Sequence, residues 1–298
     1  MTITVLTPTY NRAKLLNRLY LSLCQQTYQD FEWILVNDGS KDNTDDVAKD
    51  FISENKIHIH YIRQENNGKH RAVNRGVKEA KGELIFIADS DDWLPNNSLE
   101  IINQEYLSIR HLKNIAGIAG FDAFPNGEKV GSGNVFDVLE CTPVELWCKH
   151  KIHGDMKEVI KTSVMKEFPF PEIEGEKFCP EELLLIRISN KYKLKYINKV
   201  IYFADYQPDG LSAKIVQIRM QSPISAMIDC YEYNHANGVP IQRKIKNAIN
   251  YWRWRWFIQK ENINNKKIAL KYISFFNWWW ASPLGWIAYK IDKTKHER

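Results

Sequence analysis

The stretch from Leu84 to Pro95, Leu-Ile-Phe-Ile-Ala-Asp-Ser-Asp-Asp-Trp-Leu-Pro, is an uncharged apolar run that stops abruptly in three carboxylates. Leu84 to Ala88 is too short and unbroken for an amphipathic helix, and Lys81-Gly82 just before it is a stop signal for a preceding helix. A buried parallel strand fits this pattern. Extended backbone at its carboxyl end would set Asp89 and Asp91 on one side and Ser90 on the other, so that two carboxylates could share one hard cation. The competing reading of Asp89, Asp91 and Asp92 is a solvated turn leading to the N-cap of a helix that starts near Ser98.

The preceding chain repeats this grammar. Ile3 to Leu6 reads as a strand, Thr7-Pro8-Thr9-Tyr10-Asn11-Arg12 as a polar turn, and Leu15, Leu16, Leu19 and Leu23 as one face of a helix. Phe31 to Val36 is a second strand; it ends in Asn37-Asp38-Gly39-Ser40 before a helix carrying Val47, Ala48, Phe51 and Ile52. Ile57 to Ile62 is a third, followed by the loop Asn66 to His70 and a helix with Ala72, Val73, Val77 and Ala80. Strand and helix alternating at this length predict an α/β fold with a Rossmann-like, doubly wound, mostly parallel sheet. Right-handed crossovers then bring Thr7 to Arg12, Asp38 and the Asp89 cluster to one edge of the sheet, where such folds bind ligands.

Four pieces in this order, Thr7 to Arg12, Val36 to Ser40 with Asp42 and Thr44, Asn67-Gly68-Lys69 with Asn74 and Gly76, and Asp89 to Asp92 with Pro95, resemble the family 2 glycosyltransferases of the GT-A fold. The resemblance covers about the first 120 residues. It implies transfer of a sugar from a nucleotide-sugar, a UDP-sugar first among them, to a hydroxyl of a glycan or lipid-linked glycan. It also implies nucleotide-sugar contacts from Thr7, Pro8, Thr9, Tyr10, Arg12, Asp38, Asp89 and Ser90. Lys69 and Arg71 are added to that set, against the alternative of solvated charges at a helix start. Asp91, with Asp89 as second ligand or ribose contact, would hold Mn2+ or Mg2+ against the leaving phosphates.

The acceptor hydroxyl needs a base, and Glu181-Glu182, heading the run Leu183, Leu184, Ile186 and Arg187, resembles the family's Glu-Asp motif with Glu in place of Asp. The second acid is commonly the base there, which selects Glu182 with Glu181 as the alternative. A single carboxylate base implies direct displacement with inversion. A sugar nucleotidyltransferase should carry a glycine-rich, lysine-containing loop after the first strand, which Thr7 to Arg12 lacks. A catalytically inactive sugar-binding scaffold on the same fold is the other competitor.

Past Asn97 the signals thin. A helix from Ser98 to His111, a strand from Ile115 to Phe121, turns at Asn126-Gly127 and Gly131 to Asn134, and a short helix opened by Thr142-Pro143 are expected. A strand from Leu194 runs into Tyr206 to Ser212, either an ordinary turn or a loop that in the family can close over the donor. The domain reading is a glycosyltransferase domain over 1–212, its nucleotide-binding half about 1–95 and acceptor half about 96–212, then a helical, aromatic-rich region over 213–298.

Five cysteines without a Cys-x-x-Cys pair argue against a disulfide framework or a zinc site, and so for a reducing compartment. The N-terminus enters a strand without a basic and apolar leader, which points to the cytoplasm. The net charge of +5 hides an asymmetry: from Ile241 onward 13 Lys and Arg face three acidic residues, leaving about −5 for the rest. Tyr251 to Phe257 and Phe275 to Trp280 hold six of the ten tryptophans. Basic and indole-rich, this region reads as a patch for an anionic membrane surface, peripheral on the inner face of the plasma membrane, where a lipid-linked acceptor would reside. Tyr272 to Tyr289 is uncharged but broken by Asn277, Pro283 and Gly285, so it is expected to lie in the interface rather than span. The alternatives are a packed helical appendage or a homodimer interface; a nucleic-acid partner is set aside. The commonest setting of the resemblance is bacterial cell-surface polysaccharide assembly, capsule or lipopolysaccharide.

Overall fold

A computed structural model describes residues 1–133, 136–205, 214–258, 268, 272 and 278–296. The βα alternation forms as expected: β1 (Ile3–Thr9), α1 (Ala13–Cys24), β2 (Phe31–Asn37), α2 (Thr44–Glu54), β3 (Ile59–Arg63), α3 (Lys69–Glu79) and β4 (Leu84–Ile87). These four strands pair in parallel, in the order β3-β2-β1-β4. Strand β3 begins two residues later than the sequence suggests.

Period-two alternation divides the apolar residues between the faces of the sheet. Val5, Trp33 and Phe86 pack with Leu16, Leu19 and Phe51 of α1 and α2. Leu6, Ile34 and Ile85 pack with Ala72, Val73 and Val77 of α3. Buried Glu32 is fully engaged at one oxygen, which accepts from the Thr4 hydroxyl (2.7 Å) and the Lys81 amide (2.7 Å). That bond ties β1, β2 and the entry to β4 together. A Cβ at Gly82 would lie 2.6 Å from the Thr4 nitrogen, so the stop signal before β4 is also a close approach of two backbones.

The second half departs from the sequence reading. After α4 (Ser98–Ile109) and β5 (Ile115–Ala123) come β6 (Val138–Cys141), α5 (Pro143–Cys148), β7 (Met156–Lys161), α6 (Thr162–Glu167), α7 (Glu182–Ser189) and β8 (Lys193–Phe203). The eight-stranded sheet runs β3-β2-β1-β4-β7-β5-β8-β6, with β7 antiparallel between β4 and β5. Four of its seven pairings are parallel. Strand β7 had no distinct signal, because Met-Lys-Glu-Val-Ile-Lys alternates imperfectly and no turn dipeptide marks both its ends. Helix α5 forms as its opening residues suggest: Thr142 and Glu145 make a reciprocal capping box with Pro143 at the first turn.

Helices α8 (Ile215–Gln221), α9 (Pro223–His235), α10 (Ile241–Arg255) and α11 (Ser282–His296) follow. The Glu176 carboxylate, from the loop before α7, accepts from the Ile224 and Ser225 amides at 2.6 and 2.8 Å and so caps α9. On α10, Tyr251 and Trp254 are buried against Ala226, Met227 and Cys230 of α9, and Arg253 pairs with Asp292 of α11 at 2.5 and 2.7 Å. The aromatic region thus divides. Part of it is core, while Trp256, Trp279, Trp280 and Trp286 are exposed. Asn134, Tyr206 to Ser212 and Phe275 to Asn277, to which the sequence reading gave turns, a loop and aromatic character, lie outside the described residues.

Candidate active site

Above the carboxyl ends of β1, β2 and β4 lies a cleft of about 900 Å3, large enough for a ligand of nucleotide-sugar size. Pro8, Thr9, Tyr10 and Arg12 line it, as do Asp38, Lys69, the whole turn Asp89 to Asp92, and both Glu181 and Glu182. Two of the residues singled out in the sequence are not among its lining. Thr7 is buried, and its hydroxyl accepts from the Trp33 indole at 2.9 Å. Arg71 turns its guanidinium to the Ile173 carbonyl at 2.7 Å.

Asp38 is buried and holds the next loop in place. One carboxylate oxygen accepts from the Asn67 amide (2.9 Å) and the Gln64 side chain (2.8 Å), the other from the Gly68 amide (2.8 Å). Gly68 sits at φ +99 with the Lys177 carbonyl where a Cβ would be, so only glycine lets the loops of residues 66–69 and 174–181 meet. Among the described residues the buried Thr9 hydroxyl has no hydrogen-bond partner, and it lies beside the exposed ring of Tyr10, a pairing suited to a planar heterocycle with polar edges.

Strand β4 ends at Ile87, and Asp89 to Asp92 form a turn closed by the Asp92 amide on the Asp89 carbonyl (3.2 Å), not the extended alternation expected from sequence. Ser90 therefore shares the cleft with its acidic neighbours. Lys69 Nζ lies 2.5 Å from Asp89 and 2.6 Å from Glu181, and Lys157 Nζ lies 3.2 Å from the other Asp89 oxygen. The Tyr202 hydroxyl accepts the Asp89 amide (2.7 Å), and its ring lies under Lys157. Burial opposes ionisation of Asp89, but Lys157 and Lys69 outweigh it and hold the carboxyl well below the usual range.

The neighbouring acids shift the other way. Burial, then Asp89, pushes Asp91 up, and the same two causes lift Asp92 to about 6. Burial lifts Asp122 to about 7 and Glu158 to about 8. Crowded carboxylates of raised pKa are the electrostatic mark of a place that favours a cation. Among the described residues no three His, Cys, Asp or Glu side chains stand ready as a cage. A Mg2+-like ion needs no such cage, since it binds through one or two carboxylates together with substrate phosphates; Asp91 suits that requirement, whereas both Asp89 oxygens are paired with Lys69 and Lys157.

The two glutamates separate in role. Glu181 immediately precedes α7, and its side chain pairs with Lys69 rather than capping the helix. Glu182 is open to water inside the concavity, yet the surrounding protein raises its carboxyl above the ordinary range, against the pull of Arg219 and Arg243. Behind it, burial and the Glu182 charge lift Asp229 of α9 to about 8. Lys157, Lys177, Asp122, Glu158 and Arg243 also line the cleft, and no motif announces them. The first four come from the weakly patterned segment, and Arg243 from α10, more than 50 residues from any motif; only its place in a basic stretch could have drawn attention.

Residues 4–121 match the family model described as Glycosyl transferase family 2. The chain is 39% identical over 239 residues to glycosyltransferase GlyA of Streptococcus pneumoniae, which covers 78% of this chain and 33% of GlyA. It is 27% identical over 213 residues to the minor teichoic acid biosynthesis protein GgaB of Bacillus subtilis, 70% of this chain and 23% of GgaB. The chain thus spans about a third or less of the length of these relatives. The crystal structure of S. aureus TarS 1–349 with UDP-GlcNAc superposes with a TM-score of 0.63 at 16% identity, covering 100% of this chain and 92% of that one. Mannosyltransferase PcManGT of Pyrobaculum calidifontis, solved with GDP-Man and Mn2+, gives 0.58 at 15%, covering 99% and 87%. At such identities the likeness is one of fold.

Proposed function

We propose that this chain, whose residues 4–121 belong to glycosyl transferase family 2, moves a sugar from a nucleotide-sugar to an acceptor hydroxyl with inversion. The observation that carries the reading is the charge ladder Glu181, Lys69, Asp89, Lys157 at the rim of the Asp91 turn. Two cations and a carboxylate stand together there, which supports a centre that meets both a departing diphosphate and an attacking hydroxyl. Tyr10 and the unpartnered Thr9 hydroxyl receive the base of the nucleotide, and the diphosphate lies over the Asp89 to Asp92 turn. Mn2+ or Mg2+ held at Asp91, with Asp89 beside it, would neutralise charge on the departing diphosphate.

Arrival of the diphosphate offers Lys69 and Lys157 new oxygen partners. Glu181 then loses its ion pair and can take the proton of the attacking hydroxyl. The sequence pattern favoured Glu182 for this step. Position favours Glu181, because it borders the Lys69–Asp89 pair while Glu182 feels the electrostatic pull of Arg219 and Arg243. Arg243 in the cleft and Glu176 capping α9 make the C-terminal helices part of the working unit. The test is to incubate the protein with UDP- and GDP-sugars, Mn2+ and simple glycosides, and to measure nucleoside diphosphate release. Release of pyrophosphate would indicate a nucleotidyltransferase, and silence with bound donor an inactive scaffold.

The acceptor is a surface glycan or its lipid-linked precursor, met at the inner face of the plasma membrane. What supports this is the outer face of α11 and the turn before it, where Trp280, Leu284, Ile287 and Ile291 are exposed at helical spacing with Lys290 and Lys295 at their flanks. No helix among the described residues is long and apolar enough to cross a membrane. Sedimentation with anionic vesicles at low salt should exceed that at high salt, and changing Leu284 and Ile287 to Ser should cut it severalfold. Equal supernatant recovery with and without vesicles would leave the face to a second copy or to further chain.

A further inference from the structure

The cleft does not end at the charge ladder. A recess continues from it between the sheet and α7, walled by Ile87, Ile160, Met165, Phe170 and Leu185. Among the polar residues of the sheet that line the cleft, Asp122, Lys157 and Glu158, it is Glu158 that stands beside Ile160. It is two residues before Ile160 on the same strand, hence on the same face, and opposite Ala119 of β5. Among the described residues its carboxyl has no hydrogen-bond partner but its own backbone amide. Glu181, at the cap of the helix that supplies Leu185, stands at the mouth.

This geometry restricts what can enter. A sugar hydroxyl leaving water needs hydrogen-bond partners on arrival, and a mostly apolar recess serves a ring edge carrying several hydroxyls poorly. An N-acyl group matches it, with an apolar methyl at the end and a single carbonyl acceptor behind. Resting on the donor reading above, we propose that the recess receives the N-acyl group of an acetamido sugar on the nucleotide, its methyl against Ile87, Ile160 and Leu185 and its carbonyl accepting a hydrogen bond from Glu158. Burial, with Asp122 adding, lifts that carboxyl to about 8, toward the protonated form a donor needs, although Lys157 pulls the other way.

The experiment uses the whole chain with Mn2+ and measures dissociation constants for UDP, UDP-glucose and UDP-N-acetylglucosamine, and for UDP-galactose and UDP-N-acetylgalactosamine. Within at least one pair the acetamido sugar should bind about 100-fold more tightly, the scale on which a shaped apolar site with one polar contact discriminates. Glu158→Leu should reduce that ratio to a few-fold while leaving the UDP constant unchanged. Glu158→Gln, which keeps a neutral donor, should retain most of it. Equal affinities within both pairs, or a ratio unmoved by Glu158→Leu, would overturn the inference. Failure of the parent to bind UDP at all would instead overturn the donor reading, and an unchanged UDP constant in each variant excludes a folding defect.

Discussion

Two groups of acids share one cleft and behave oppositely. At the rim of β4, Asp89 and Glu181 are bridged by Lys69, with Lys157 on the far side of Asp89, at 2.5 to 3.2 Å, and the Asp89 charge is kept. Toward the recess and α9, burial drives Glu158 and Asp229 toward the neutral form, with Arg219 no nearer Asp229 than 3.9 Å, and it does the same to Asp122 despite Lys157. Carboxylates of one chemical type are thus drawn toward the charged form at one end and toward the neutral form at the other. The balance between burial and the pull of paired cations decides which.

The sharpest way to break this contrast is at the charged end. Asp91→Asn should lower turnover on the order of 1000-fold, as loss of a transition-state charge partner does, with the melting temperature unchanged or raised. Full activity of that variant, or of the parent in excess chelator, would remove the cation from the reaction. Glu181→Gln should lower turnover by at least about 100-fold with donor affinity retained, and Glu182→Gln by much less. The reverse order would restore Glu182 as the base.

At the uncharged end the effect is on stability. Aspartate ionises at 3.8 in the reference state but near 8 at Asp229 in the fold. The folded state therefore holds a proton that the unfolded chain releases. Stability from this site is whole below about 4 and is lost as pH rises toward 8. Asp229→Asn removes the loss, so its melting temperature should exceed the parent's by about 3 °C at pH 8 and by less at pH 5. A variant melting below its parent at pH 8 would mean that Arg219 holds Asp229 ionised, erasing the contrast.

How much of this the residues announce differs along the chain. Strands β1 to β4 were legible because each is an apolar run closed by a polar turn, and the crossover rule alone places Asp38 and the Asp89 turn on one edge. Within that legible half, Thr7 and Arg71 still drop out of the cleft, since a motif fixes neighbourhood but not the direction of each side chain. Thr7 faces the Trp33 indole, and Arg71 serves a carbonyl 102 residues away. In the aromatic tail, composition identified a basic, indole-rich region, but which indoles are core and which face water follows from α9 packing on α10.

The sequence by itself determined the alternating α/β plan, the edge on which ligands gather, and the acidic turn and glutamate pair that give that edge its chemistry. Those follow from periodicity and short-range spacing, which are properties of contiguous residues. Only the tertiary structure decided that β7 inserts antiparallel beside β4. That insertion carries Lys157 to Asp89 and Glu158 into the recess, and packing of the C-terminal helices brings Arg243 to the cleft. Each of these is a contact between segments far apart in the chain, governed by which buried faces complement one another, and such complementarity leaves no local pattern to read.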